Sequence, residues 1–292
     1  MKIGVHVSIR NGFLAAARTA HRIGAQAYQY FPKNPRSLSF KWPDLNDARA
    51  ANAFCHQHGI ESVAHAPYPT NPAVHDPARR EMVVQSLLND LIIAEACGSI
   101  GVVVHFGVHH TTVDRLQGYK YMIRCLNHVL AQWDGKAQLL IENEAGGHGP
   151  MGTRIEELTQ IRNLVERPEQ IGFCFDTCHA FQSGEWPHSL EAFPAWEKRL
   201  RSSGFLEHLK VVHVNDSVYP YAARKDRHAN IGSGQIEKRV LARFLRIQEV
   251  MEAVWILETP ASKNGDHVRE MKEVMRLTAD DHHSSEGVGE ES

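Results

Sequence analysis

Two short motifs bring carboxylate and imidazole side chains close together along the chain. Asp176-Thr177-Cys178-His179 pairs an aspartate with a histidine three positions on, and Asp226-Arg227-His228 repeats the pair at a spacing of two. Five more residues of these types stand at or just beyond the end of a short apolar run: His65, His105, Glu142, His213 and Glu258. Such ligand sets suit Zn²⁺, Mn²⁺ or Fe²⁺. Nine side chains exceed the needs of one ion, so the sequence predicts a cluster of two or three.

These residues are far apart in the sequence and need a framework that gathers them. Short apolar runs predict strands at Ile3–Val7, Ala27–Phe31, Ile60–Ala64, Gly101–His105, Gln138–Glu142, Ile171–Asp176, Lys210–Val214 and Val254–Glu258. Helical periodicity is clearest in Gly12–Ile23, Leu45–His58, Arg79–Cys97, Val113–Trp133, Arg154–Val165 and Val240–Met251. Eight strands alternating with helices predict an α/β protein, a single (β/α)₈ TIM barrel. No glycine-rich dinucleotide fingerprint follows the first strand, which disfavours an open doubly wound sheet.

The barrel prediction places the candidate ligands together. Side chains at the C-terminal ends of barrel strands face one mouth, where active sites form. Six of the nine candidates close the third to the eighth strand, and the other three lie in the loops after the sixth and seventh. Several buried carboxylates and imidazoles without cations would be electrostatically costly. A metal site at this mouth is therefore favoured over a set of structural histidines.

Two cysteines flank the first motif and leave an alternative open. Cys174 and Cys178 lie on either side of Asp176, and a thiolate is a possible metal ligand. Cysteine is also a common small buried residue, so packing is the favoured interpretation.

Composition limits the remaining classes of function. The chain has 292 residues, 42% hydrophobic, with net charge −2, so one large core is expected and no global basic field. Residues 1–278 are predicted to form the barrel domain, and the polar segment 279–292 is predicted to be a disordered tail. Five cysteines without a CxxC pair, and no apolar run of membrane-spanning length, predict a cytoplasmic protein without membrane contact.

Three loops at the predicted mouth could contact a polyanion. Phe31–Arg36 follows the second strand and His65–Asn71 follows the third, and both combine prolines with a cation, an aromatic ring or an amide. They could hold a sugar-phosphate backbone, although each alone is an ordinary proline-rich loop. The glycines of Asn143–Gly149 could let backbone amides approach a phosphate or could form a flexible loop.

These segments together resemble the endonuclease IV family of apurinic/apyrimidinic endonucleases. The likeness runs from Gly4-Val5-His6-Val7-Ser8 to Glu258-Thr259-Pro260, and the Asp-Thr-Cys-His and Asp-Arg-His motifs in this order are its most specific parts. The resemblance implies a barrel with a trinuclear, usually zinc, site. It further implies hydrolysis of the phosphodiester 5′ to an abasic site in double-stranded DNA, leaving a 3′-hydroxyl, and trimming of blocked 3′ ends.

The resemblance also implies roles for individual residues. One ion would be held by His65, His105 and Glu142, a second by Glu142, Asp176, His213 and Glu258, and a third by His179, Asp226 and His228. Arg36 and Tyr68 would penetrate the duplex. As a hypothesis about mechanism, we expect catalytic roles for Glu142 and Glu258, and we expect His6, Asn215 and Asp216 to orient the ligands. Leu38, Pro69, Phe106 and Glu237 depart from the family pattern at positions other than ligands.

Two other classes of function fit the same barrel. A metal-dependent sugar isomerase or epimerase of the xylose-isomerase-like group would use one or two ions, and the extra set His179, Asp226 and His228 argues against it. A DNA-damage binding module with an inactive site is disfavoured by the complete ligand set. The expected cofactors are three divalent ions, with Zn²⁺ favoured and Mn²⁺ or Fe²⁺ open at individual positions, and a monomer is expected.

Overall fold

Eight parallel strands form a closed barrel in the structure, a computed structural model that describes residues 1–109, 114, 116–261 and 267–279. The barrel strands are β1 (Lys2–His6), β2 (Ala27–Tyr30), β3 (Glu61–His65), β4 (Gly101–His105), β5 (Gln138–Glu142), β6 (Ile171–Asp176), β7 (Leu209–His213) and β10 (Val254–Leu257). They follow one another around the barrel in chain order, and β1 pairs with β10 to close it. A separate antiparallel pair consists of β8 (Asp216–Ser217) and β9 (His228–Ala229).

Helices surround the barrel between successive strands. They are α1 (Phe13–Arg22), α2 (Leu45–His58), α3 (Pro77–Ala96), α4 (Leu116–Leu130), α5 (Ile155–Leu164), α6 (Thr177–Ser183), α7 (Phe193–Ser202), α8 (Lys238–Leu245), α9 (Gln248–Glu252) and α10 (Val268–Ala279). A large apolar cluster fills the space between helices and strands. A smaller one lies inside the barrel and includes Val63, Val103, Leu140 and Cys174. The TIM-barrel prediction is confirmed.

Several element boundaries differ from the predicted ones for identifiable reasons. The third strand begins one residue late because the Ile60 amide still bonds the Cys55 carbonyl at the end of α2. The third helix begins two residues early, since Pro77 occupies its first turn and the Asp76 carboxylate accepts from the Arg79 amide. The predicted helix 240–251 is two helices, because Ile247 has an extended backbone with ψ 130° and buries its side chain.

Some predicted segments fall partly outside the described residues. The fourth predicted helix began at Val113, which lies outside them, and the observed helix begins at Leu116. The last helix extends to Ala279, the first residue assigned to the tail, and residues 280–292 are not among those described.

Candidate metal centre at the barrel mouth

Strand register brings the predicted ligands to one rim. His65, His105, Glu142, Asp176 and His213 are the last residues of β3 to β7, and Glu258 directly follows β10. His105 pairs with Glu142 across β4 and β5, and Asp176 pairs with His213 across β6 and β7. Six side chains from six strands therefore converge on the C-terminal mouth, where barrel sites form.

The first group of adjacent ligand atoms contains His65, His105 and Glu142. Glu142 Oε2 lies 3.4 Å from His65 Nε2 and 3.7 Å from His105 Nε2, and one ligand atom from each residue lies within 4.8 Å of the others. His65 Nδ1 lies 2.8 Å from the Ala66 carbonyl oxygen. A neutral His65 must therefore carry its proton on Nδ1 and turn the Nε2 lone pair toward Glu142.

The second group shares Glu142 and adds Asp176, His213 and Glu258. His213 Nδ1 lies 2.9 Å from Glu142 Oε1 and 3.1 Å from Glu258 Oε2. On the other side of the ring, Nε2 donates to Gln29 Oε1 at 2.8 Å in the neutral tautomer that leaves Nδ1 free. This tautomer aims a lone pair at two carboxylates, an arrangement that a cation bound between them would satisfy.

The third group contains His179, Asp226 and His228. Asp226 Oδ1 lies 3.3 Å from His179 Nε2 and 3.2 Å from His228 Nε2. His228 begins β9, which pairs with β8, so a hairpin rather than a free loop presents this motif. His179 lies in the first turn of α6 rather than in the loop expected after the sixth strand. Its amide donates to the carboxylate of Asp176, the N-cap of that helix, at 2.7 Å. Its Nδ1 lies 2.8 Å from the Asn143 carbonyl oxygen, which leaves Nε2 facing the site.

The alternative ligands Cys174 and Cys178 also lie beside the centre. The sulfur atom of Cys174 lies within 4.8 Å of ligand atoms of Glu142 and His213, and that of Cys178 lies within 4.8 Å of ligand atoms of Asp176 and His228. Burial and the neighbouring carboxylates raise the pKa of both thiols, to about 12 for Cys178. Both side chains are fully buried, which fits the packing role predicted for them.

The charges of the centre are strongly interdependent. Burial alone would lower the pKa of His105, but Glu142 and Glu144 outweigh it and raise the value to about 10. Burial is likewise outweighed at His228, whose pKa Asp176 and Asp226 raise to about 9. Burial alone would raise the pKa of Glu258, but His213, His65 and His228 together outweigh it and lower the value to about 2. Without a cation, the carboxylates are therefore balanced by protonated imidazoles.

Several buried atoms of the centre fit a bound cation. Among the described residues, no hydrogen-bond partner reaches Glu142 Oε2, His179 Nε2 or His228 Nε2. Leaving such atoms buried without a partner costs free energy, and once deprotonated the two imidazole nitrogens would offer lone pairs to a cation. Oxygen and nitrogen donors with fixed tautomers form the ligand chemistry of Zn²⁺ and similar ions.

The three residues expected to orient the ligands occupy different positions. Asn215 donates to Asp176 Oδ2 at 2.7 Å and accepts from the Glu258 amide at 3.0 Å, so it contacts two ligands directly. His6 lines the mouth and contacts Gln29, with Nδ1 to Nε2 at 3.3 Å, and burial lowers its pKa to about 4. Asp216 instead accepts backbone amides of segment 232–236, which continues from the hairpin. It therefore stabilises the segment that follows the hairpin carrying His228 of the third group.

Sequence reasoning did not find two residues of the centre. Gln29 donates to Glu258 Oε1 at 2.6 Å and contacts His213, and Asn143 exchanges two hydrogen bonds with the Asp176 backbone. A signal for Gln29 was available, because it is the one amide side chain of β2 and is fully buried. A glutamine at the end of a buried strand indicates a polar partner inside the barrel.

The two predicted DNA-contacting residues lie at the edge of the centre. Tyr68 is 66% exposed and packs against Phe31, with ring centroids 5.1 Å apart. A cavity of about 490 Å³ opens at the mouth and is lined by Tyr68, His105, His179 and Arg227. Arg36 is exposed and lines an adjacent groove together with the family departures Leu38 and Pro69.

Comparison with known proteins first defines the class of barrel. The family model described as a xylose isomerase-like TIM barrel matches residues 17–279. Among solved structures, a D-tagatose 3-epimerase-like protein superposes with a TM-score of 0.71 at 20% identity, over 96% of this chain and 98% of its own. At that identity the likeness shows the fold alone.

Closer relatives define the family within that class. A protein of Symbiobacterium thermophilum named probable endonuclease 4 is 41% identical over 268 residues, which cover 91% of this chain and 96% of that protein. The crystal structure of endonuclease IV from Thermus thermophilus superposes with a TM-score of 0.82 at 29% identity, over 96% of this chain and 100% of that one. The chain belongs to the endonuclease IV family. No helix among the described residues is long and apolar enough to cross a membrane.

Proposed function

We propose that this protein is a metal-dependent DNA-repair endonuclease that hydrolyses the phosphodiester 5′ to an abasic site and leaves a 3′-hydroxyl. We include removal of blocked 3′ ends in the same proposal. The main supporting observation is that three groups of candidate ligands lie next to one another at one cavity. The first two groups share Glu142, and the third contacts Glu142 through His179 and Asp176 through His228. Membership of the endonuclease IV family supports DNA as the substrate.

In this proposal the three groups hold three divalent ions, with Zn²⁺ favoured and Mn²⁺ or Fe²⁺ possible at individual positions. His65, His105 and Glu142 form the first ligand set, Glu142, Asp176, His213 and Glu258 the second, and His179, Asp226 and His228 the third. When bound, such ions supply a nucleophile at neutral pH and neutralise charge on the phosphate and leaving oxygen.

The protein's own side chains fix and protect that arrangement. Carbonyl acceptors hold His65 and His179 in the tautomer that presents Nε2. Gln29 and Asn215 orient Glu258 from two sides, through its carboxylate and its backbone amide. Rigidly held ligands keep the reacting geometry without reorganisation during the reaction.

Tyr68 and Arg36 contact the duplex at the lesion in this proposal. An abasic nucleotide lacks stacking and pairing, so extruding it costs less than extruding an intact one. Selection can therefore rest on the dimensions of the mouth and on the bending of the DNA rather than on contacts with base edges. Since one chain supplies all nine ligands, we propose a monomer, acting in the cytoplasm.

The third ligand group favours this function over the two alternatives. A sugar epimerase or isomerase with one or two ions has no need of His179, Asp226 and His228, which here converge within 4.8 Å. An inactive DNA-binding module has no need to bury so many ligand-type groups at a net cost in free energy.

Incision of a labelled duplex with one tetrahydrofuran abasic analogue tests the proposal. The analogue cannot undergo β-elimination, so a 3′-hydroxyl product identifies hydrolysis on the 5′ side. We expect incision that stops after chelation and returns with added Zn²⁺ or Mn²⁺. Absence of incision by protein shown to contain its metals would refute the endonuclease assignment, and ketose interconversion would then be assayed.

A further inference from the structure

The middle of α3 carries three buried polar residues, and the side chains of Asn89 and Asp90 contact the loop that follows β2. Ser86, Asn89 and Asp90 are at most 1% exposed. Positions three and four apart lie on one helix face, so the three residues share a surface. Buried polar groups cost free energy unless they have partners, and the surrounding positions of α3 are apolar: Val83, Val84, Leu87, Leu91 and Ile93.

The partners of this polar face belong to the segment between β2 and α2. Lys33 Nζ lies 2.9 Å from Asp90 Oδ1 and donates to the Ser86 carbonyl oxygen at 2.8 Å, with both charged side chains at most 2% exposed. Asn89 accepts from the Lys41 amide and donates to the Lys41 carbonyl, both at 2.9 Å. The loop is thus attached to α3 on both sides of Arg36.

A third attachment joins this loop to the segment after β3. The Tyr68 amide donates to the Pro35 carbonyl oxygen at 2.9 Å, immediately before Arg36. The Tyr68 ring packs on Phe31, which lies at the start of the same loop. The two residues proposed to contact DNA are consequently held at a fixed separation.

The buried ion pair is a weak stabilising contact. Burial raises the pKa of Asp90 to about 7 although Lys33 opposes the shift, and burial lowers the pKa of Lys33 although Asp90 opposes it. In both groups desolvation exceeds the mutual attraction. Replacing such a pair by apolar residues is often neutral or stabilising, so its presence calls for a role in positioning.

We propose that Lys33, Asn89 and Asp90 are positioning residues that hold the loop bearing Arg36 in the conformation that contacts DNA. The identity of the ligand rests on the proposed function, whereas the attachment of the loop does not. Asn89 acts through the backbone of Lys41, and Asp90 acts through the side chain of Lys33.

Two variants test this role in the full-length, metal-loaded protein. Lys33→Met/Asp90→Leu removes the ion pair without leaving a lone buried charge, and Asn89→Leu removes the second attachment. The matched control is Lys2→Met/Glu61→Leu. This ion pair lies at the first residues of β1 and β3, at the end of the barrel away from the mouth. The readouts are KM and kcat on the tetrahydrofuran duplex, the melting temperature, and amide hydrogen exchange over residues 34–41.

We expect both loop variants to raise KM roughly tenfold while kcat stays within about twofold, because binding is impaired and the metal centre is intact. Exchange over 34–41 should accelerate at least about tenfold while the barrel strands keep their protection. The control variant should leave KM, kcat and the exchange over 34–41 unchanged. A lower melting temperature with a parallel loss of kcat would indicate a merely structural role and overturn the proposal.

The exchange measurement separates this inference from the proposed function. If the wild-type protein does not incise the duplex, the endonuclease assignment fails, yet faster exchange over 34–41 in both variants would still support the anchoring. Unchanged exchange in both variants would refute the anchoring whatever the enzyme's activity.

Discussion

Hydrogen bonds behind the imidazoles decide which nitrogen each histidine presents to the centre. Backbone carbonyls bind Nδ1 of His65 and His179, whereas Gln29 binds Nε2 of His213. His213 therefore faces Glu142 and Glu258 through Nδ1. Such outer contacts set both the tautomer and the ring orientation of metal-binding histidines.

Gln29 offers the sharpest test at this scale. Gln29→Leu removes the acceptor for His213 and a donor to Glu258, so metal affinity should fall about 10–100-fold, as is usual for outer contacts. Metal titration by competition with a chromophoric chelator measures the change. Gln138→Leu is the matched control, because Gln138 opens β5 at the far end and bonds the Glu169 carbonyl. Equal affinities in the two variants would contradict the role of Gln29.

Glu142 is the residue shared by the first two ligand groups. Glu142→Gln removes a charge that both sites need, so incision should fall by roughly 10³-fold or more. Incision rates and metal content, with circular dichroism to check folding, measure the effect. Glu144→Gln is the comparison, since Glu144 approaches only His105 among the ligands, with oxygen to Nδ1 at 3.5 Å. A folded Glu142→Gln protein with wild-type rates would refute the assignment.

Element ends provide the third ligand group. Asp176 ends β6 and caps α6, which turns His179 back toward the mouth. The hairpin of β8 and β9 brings His228 to the same point. In both the helix and the hairpin, a carboxylate accepts backbone amide hydrogen bonds: Asp176 at the start of α6 and Asp216 at the hairpin.

Asp216 is the carboxylate that holds the hairpin. Its Oδ1 accepts from the Ser217 and Ile236 amides, and its Oδ2 accepts from the Gly232 and Gly234 amides. In Asp216→Asn either orientation of the side chain sets an NH₂ group against two amide donors. We expect a loss of about 1–3 kcal/mol in the free energy of unfolding, together with loss of one bound ion per chain.

Chemical denaturation and elemental analysis of the purified variant measure these two effects. Asp134→Asn is the control, since Asp134 is exposed and its ion pair with Arg167 lies at the surface. Full metal content in Asp216→Asn would show that the hairpin does not need this carboxylate to form the third group.

Across the whole molecule, barrel closure gathers the candidate ligands from six strands, one helix and one hairpin. The last helix contributes to the same mouth. Glu270 of α10 accepts from the Ile231 amide at 2.8 Å and from the Thr259 hydroxyl at 2.6 Å. Bound ions would therefore stabilise the complete fold, because ligands bind only the native arrangement.

The pH dependence of stability follows from the charges of the metal-free centre. The pKa values of His105 and His228 are raised from 6.5 to about 10 and about 9. The stability that these two groups contribute is fully present below pH 6.5 and is lost as the pH rises through 9 to 10. Metal binding must displace these protons, so its affinity should increase over the same interval.

Melting temperatures of chelated and metal-loaded protein between pH 6.5 and 10 measure both trends. We expect the chelated form to lose stability with rising pH and the gap between the two forms to widen. His105→Gln/His228→Gln in the chelated state should flatten the first trend. A gap that narrows with rising pH would contradict the linkage.

The barrel and its eight strands can be predicted from the amino-acid sequence alone, because apolar runs that alternate with helical periodicity have few other ways to be buried. The types of the candidate ligands are also evident in the sequence, because they recur at the C-terminal ends of the predicted strands, where barrel sites form. The α6, α7 and α10 helices were not among the predicted ones.

Only the tertiary structure decided which of these residues act together. Gln29 reaches Glu258 across 229 sequence positions, and Lys33 reaches Asp90 across a helix and a strand. Local patterns cannot encode such pairs, since partners at large sequence separation are set by strand register and by the packing of helices against the closed sheet. The family resemblance implied the division of the nine candidate ligands into three groups, but the distances within each group follow from how the barrel closes.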